Sequence, residues 1–300
     1  MTPPARTPAV VLVNLGTPVA PTPRAVRTYL AEFLADRRVI ELHPALWWPI
    51  LHGIILRVRP RASAQKYASI WTPEGSPLRV ATRRLRDHLD TLLGTDATVH
   101  VGMRYGTPPL TDVLDSPLSQ GRRQVLIVPL YPQYAASSTG SVLDAVSRWS
   151  LASRDQLELR TLRSFPTHPA YLDAVAAGVE AGWRRHGRPD FATGDRLLLS
   201  FHSIPQAMHR AGDPYRSECF ASAAGIRERL QLTEDEAPLT FQSVFGPAAW
   251  LTPATIDTVR ALGASGTRRV DVVCPGYRAL RNQGCRWGLK LPASSRLREM

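Results

Sequence analysis

Residues 9–15, AVVLVNL, closed by Gly16-Thr17-Pro18, form a short Val-rich apolar run that stops at a turn signal. A run of that length and composition reads as a buried strand. Immediately after it, Thr22-Pro23 offers an N-cap and a proline at the first helical position. Val26, Leu30, Phe33 and Leu34 then follow at helical spacing. Working outward, further apolar runs lie at 98–103, 124–130, 157–162, 196–201, 239–243 and 269–273. Stretches of helical periodicity separate most of them, at 78–93, 141–152, 171–185 and 222–230. Strand alternating with helix predicts βαβ units and a parallel sheet with helices on both faces. The halves also rhyme: VLVNLGTP at 11–18 and LLLSFHSIP at 197–205 are each strand, polar turn and proline. The fold class expected is therefore α/β, two similar domains with parallel sheets meeting near residues 160–170. In such sheets a ligand lies beyond the carboxyl ends of the strands, here in an inter-domain cleft.

Composition narrows the function. At 44% hydrophobic and 21% charged residues the chain is globular rather than disordered. No apolar run reaches the roughly 20 residues that span a bilayer, and the first residues carry no apolar leader segment. Three cysteines, Cys219, Cys274 and Cys285, form no CxxC pair, which fits a reducing cytosol. A net charge of +12 invites an anionic partner, but the cation is nearly all arginine, with Lys66 and Lys290 the two lysines. No nucleic-acid-binding pattern accompanies it, so nucleic acid is not an expected partner. Nor is there a GxGxxG after a strand, a phosphate-binding loop, a GxSxG elbow or an HExxH motif.

One segment departs from the soluble pattern. Residues 45–56, ALWWPILHGIIL, are strongly apolar and lead into Arg57, Arg59, Arg61 and Lys66. Tryptophan beside a basic cluster suits a membrane interface with anionic headgroups. A core helix and an apolar lip for a flat, greasy ligand are the other two readings. His202, after the apolar run 196–201, stands at a strand's C-terminal end, where catalytic groups gather in α/β folds. A single histidine is also commonly a satisfied structural group. Residues 131–141, YPQYAASSTGS, read either as an ordinary turn and helix cap or as the wall of a site for a flat ligand with carboxylates, alongside Arg104.

Taken in order, VLVNLGTP (11–18), KYASIWTPEGSPL (66–78), MRYGTP (103–108), PLYPQYAASSTGS (129–141), SFHSIP with GDPY (200–215), FQSVFGPAAWL (241–251) and VDVVCPGY (270–277) resemble the ferrochelatase family. The resemblance runs from about Val10 to Tyr277. It implies two Rossmann-like, chelatase-type domains: 8–165 with an apolar lip at 45–60, and 166–277. It implies insertion of Fe²⁺ into a porphyrin, protoporphyrin IX or coproporphyrin III, in haem biosynthesis. A catalytically impaired porphyrin binder is the alternative, and a chelatase for another tetrapyrrole or metal a more distant one. By the same resemblance His202 is the catalytic base and metal ligand. Arg104, Tyr105, Tyr131, Ser137, Leu15 and Trp47 line the porphyrin site, with leucine at position 15 unable to reach a metal. Fe²⁺ and porphyrin are substrates, no cofactor is permanently bound, and no iron–sulfur cluster is expected, since such a cluster takes four cysteine ligands. The expected location is cytoplasmic, peripheral at the inner membrane face through residues 45–61. After Tyr277 the family's acidic helix is missing. Residues 278–300 read as an aberrant, irregular tail, with Gln283 where the family's glutamate stands.

Overall fold

The computed structural model describes residues 7–244, 246, 248–276 and 289–290. The chain divides into two compact units, Met1–Ser164 and Phe165–Met300.

In the first unit the chain runs β1 (Ala9–Thr17), α1 (Pro23–Ala35), α2 (Pro44–Ile50), α3 (Leu56–Ile70), α4 (Pro77–Leu93), β2 (Thr98–Gly106), α5 (Leu110–Ser119), β3 (Gln124–Pro129), α6 (Ser141–Ala152) and β4 (Glu158–Thr161). Its sheet has the order β2-β1-β3-β4 and is parallel throughout. The central strand β1 is buried on both faces because both are covered. Val11 and Val13 join Val125 and Ile127 of β3 against α5 and α6, while Asn14 reaches Thr82 of α4 on the other side, at 3.1 Å. Thr22 caps α1, its hydroxyl accepting from the Ala25 N–H, as the Thr-Pro pair predicts.

Residues 44–70 form nearly continuous helix, with a π-helical turn at Leu51–Ile55 between α2 and α3. Pro49 and Pro60 bracket that turn. Each lacks the N–H for an intrahelical bond, so the register is disturbed where a wide turn can absorb it.

The second unit runs α7 (Pro169–His186), β5 (Arg196–His202), α8 (Gln206–Arg210), α9 (Tyr215–Leu230), β6 (Leu239–Gln242), α10 (Thr255–Ala264), β7 (Arg269–Val273) and β8 (Leu289–Lys290). The strand order is β6-β5-β7-β8, parallel except for the last pair. Leu198, Val259 and Val270 form the core beneath α10. Helices α7 and α9 pack closely: a Cβ on Gly225 would stand 2.5 Å from Leu172 Cδ1.

The two units repeat one frame. In each, the first strand lies between the second and third. A proline carbonyl just before the following helix accepts from the middle of the second strand: Met103 N–H to Pro108 O and Phe241 N–H to Pro253 O, both at 2.8 Å. Met103 pairs with Asn14, and Phe241 with Phe201. In this register Leu15 and His202 occupy the same station, as do Arg104 and Gln242. The expected tail 278–300 lies outside the described residues apart from the strand at 289–290.

Candidate functional site

In the second unit the chemistry gathers at the carboxyl end of β5. Phe201 and Leu199 are wholly buried and Ser203 nearly so, which pins the strand end and leaves His202 as its exposed residue. A ring can touch water along one side while protein fills most of the volume around it. That desolvation lowers the His202 pKa, because burial penalises the charged imidazolium. The imidazole is therefore neutral at pH 7, able to accept a proton or bind a metal. Its register partner is Gln242, whose side-chain amide donates to Cys274 Sγ at 3.4 Å. Burial raises the Cys274 thiol pKa, so the sulfur is protonated at neutral pH. Among the described residues no group of three or more His, Cys, Asp or Glu could hold a metal ion.

In the first unit Arg104 and Tyr105, at the end of β2, are tied to Asp36 just after α1 and to Ser141 at the start of α6. Arg104 Nη2 donates to Asp36 Oδ2, and its Nε donates to Ser141 O at 3.0 Å and Oγ at 2.6 Å. The Tyr105 hydroxyl and the Ser141 hydroxyl both donate to Asp36 Oδ2, at 2.9 and 2.6 Å. The guanidinium also lies over the Tyr105 ring, 4.5 Å from its centroid. Burial pushes the Asp36 pKa up, yet bonds from Ser141, the Arg38 N–H and Tyr105, with the Arg104 charge, hold it below the usual carboxylate value. A paired buried charge of this kind is rigid.

The expected lining residues fall into two groups. Leu15, Trp47 and Tyr105 all pack in one cluster with α1 and the π turn. Tyr105 has no accessible surface, so it stands behind Arg104 as its support. Trp47 is half-buried and donates its indole N–H to Leu34 O at 2.6 Å, whereas Trp48 beside it is 64% exposed. Thus Trp47 is an anchor and Trp48 the outward side chain. Tyr131 packs against the α5–α6 core. Its hydroxyl, and that of Thr139 in the π-helical turn Ala136–Gly140, are buried without a hydrogen-bond partner among the described residues. A buried unpaired hydroxyl costs about 1–3 kcal/mol, so each calls for a partner such as an ordered water or a bound ligand. Burial drives the Tyr131 pKa far upward, which keeps the phenol protonated. Ser137 is half-buried in the same turn.

Asp36 was not singled out by the sequence, and Ser141 and Gln242 entered only as members of the stretches 131–141 and 241–251. Asp36 sits in no motif, and its partners are 68 and 105 residues away.

A profile described as Ferrochelatase matches residues 7–279. Among solved structures the chain is similar to SirB from Bacillus subtilis with Fe3+, at 13% identity and a TM-score of 0.49, over 90% of this chain and 76% of that one.

Proposed function

The chain belongs to the ferrochelatase family, and from that premise we propose that it inserts Fe²⁺ into a porphyrin, protoporphyrin IX or coproporphyrin III, in haem biosynthesis. The observation that carries this reading is His202, an exposed and neutral imidazole at the carboxyl end of a central parallel strand. Metallation removes two pyrrole protons and moves Fe²⁺ from its prior ligands to four ring nitrogens. A neutral imidazole can accept one of those protons, and it suits iron as a ligand. Arg104, held by Asp36 and Ser141, offers a fixed guanidinium for a substrate carboxylate. Tyr131, Ser137 and Leu15 contribute hydroxyl and apolar wall. Bending the macrocycle exposes its nitrogens, a strain that substrate binding offsets.

The outward side chains of the 44–70 helices fit contact with a membrane surface. Leu46, Trp48, Ile54 and Val58 are exposed, as are Arg57 and Arg61. Apolar groups with neighbouring cations suit an interface bearing anionic lipid, and this would bring a hydrophobic porphyrin to the protein. Among the described residues no helix is long and apolar enough to cross a membrane.

A second reading rests on Gln283, which lies outside the described residues and stands where the resemblance places a glutamate. An amide cannot accept a proton at neutral pH, so the chain as given would bind porphyrin and metallate it slowly. An anaerobic assay with protoporphyrin IX and coproporphyrin III, following fluorescence as Fe²⁺ is added, separates the two. Turnover on either supports the first reading. Tight binding with little turnover supports the second, and absence of both overturns the assignment.

A further inference from the structure

Beneath His202 lies a feature the first unit lacks. Leu198, Ser200 and His202 share the sheet face that α10 covers, because side chains alternate along a strand. Ser200 pairs with Thr240 of β6, and Thr255, the first residue of α10, sits over both. Thr255 Oγ1 donates to Thr240 Oγ1 at 2.9 Å, and Ser200 Oγ lies 2.8 Å from Thr255 Oγ1. With the one Thr255 proton given to Thr240, Ser200 donates the other bond. Ser200 and Thr240 have no accessible surface.

The repeated frame supplies an internal comparison. The equivalent stations of the first unit are Val13, Gly102 and Leu110. They close the same corner with apolar contact: a Cβ on Gly102 would meet Leu110 Cδ1 at 3.0 Å. The frame therefore does not require hydroxyls there. The unit with Leu15 at the strand end uses none, and the unit with His202 uses three. In both units the first strand outruns its third-strand partner: the contacts of β5 with β7 stop at Leu199↔Val273 as those of β1 with β3 stop at Val13↔Pro129. What the second unit adds at that strand end is the hydroxyl ladder joining β5 to β6 and α10.

We propose that Ser200, Thr240 and Thr255 are positioning residues for His202, fixing the end of β5 so that the imidazole stands in one place. The effect on turnover rests on the chelatase reading above; the effect on the ring does not. Thr255→Val keeps the shape and removes both bonds. Thr255→Ser keeps the hydroxyl, and Thr258→Val is the control, since among the described residues the Thr258 hydroxyl bonds to Ala254 O of its own helix start and not to the ladder. The readouts are kcat and KM for porphyrin metallation, and the ¹H–¹³C signal of the His202 ring, assigned with His202→Ala, in protein free of substrate at one pH.

Thr255→Val should move or broaden the ring signal and lower kcat by about 10–100-fold, the scale of a small misplacement, with KM within about twofold. Thr255→Ser should restore both, and Thr258→Val should change neither. Should Thr255→Val fail to fold, Ser200→Ala takes its place with the same expectations. If wild-type protein shows no metallation, the chelatase reading has failed and the ring signal alone decides the ladder. An unchanged ring signal in a folded Thr255→Val or Ser200→Ala protein overturns the proposal. So does a loss of kcat that Thr255→Ser fails to restore.

Discussion

At the residue scale, two ionisable groups have displaced pKa values with opposite consequences. Desolvation lowers the His202 pKa, so its neutral form persists below the ordinary midpoint near 6.5. The acid limb of kcat/KM should accordingly fall below pH 6.5; a limb centred above 7 would contradict the placement of this ring. Asp36 is a carboxylate whose folded pKa is depressed. It contributes stability that is fully present above its unfolded pKa of roughly 3.9 and is lost as pH falls through the lower folded value. Asp36→Asn should therefore be less stable than wild type at pH 7, and the gap should narrow as the pH drops below about 4. Denaturant midpoints across pH 3 to 7 measure this, and a gap that stays constant would show that the charge of Asp36 is not what holds Arg104.

At the element scale, the helical segment 44–70 separates two tryptophans that its sequence presents as a pair. Composition alone fits a core helix, a membrane-facing helix or a pocket lip, because hydrophobicity does not say which neighbour a side chain meets. In the fold the two adjacent tryptophans divide the roles: Trp47 is anchored to Leu34 O while Trp48 points outward. Trp47→Ala should cost roughly 3 kcal/mol, the low end for a large aromatic, since the ring is half-buried. Trp48→Ser should leave melting nearly unchanged and weaken association with anionic liposomes. Equal melting losses for the two variants would return both to the core. Strands β1 to β7 were legible from their apolar runs and α1, α4, α6, α7 and α9 from periodicity, whereas β8 falls in the tail expected to be irregular. Helices α3, α5, α8 and α10 were not, and α5 and α10 show why. LTDVLDSPLS has an apolar stripe at Leu110, Val113, Leu114 and Leu118 but carries Pro117, which reads as a breaker, and TIDTVRALGA buries only Val259. Helix α9 begins at Tyr215, ahead of the expected 222, because its first turn carries Arg216, Ser217 and Glu218 rather than apolar residues.

At the scale of the whole molecule, the rhyme between residues 11–18 and 197–205 proves to be a repeated frame, down to the proline carbonyl that receives Met103 or Phe241. Motifs could locate the strand ends but not the network that fixes Arg104, whose members are far apart in sequence. The tail is tested by exchange: replacing residues 278–300 with an acidic, family-like helix should raise turnover at least about a hundredfold, the scale of one positioned proton acceptor. Full activity of the chain as given would show that this carboxylate is dispensable. Anaerobically purified protein without porphyrin should also lack visible iron–sulfur absorption, since the chain offers three cysteines against the usual four ligands; a sulfide-containing chromophore would contradict that expectation. The most direct measurement of the central claim is single-turnover Fe²⁺ insertion into bound porphyrin, comparing wild type with His202→Ala. The account predicts that the variant retains porphyrin binding and loses about 10²–10⁴-fold in insertion rate. An unchanged rate in His202→Ala would contradict it.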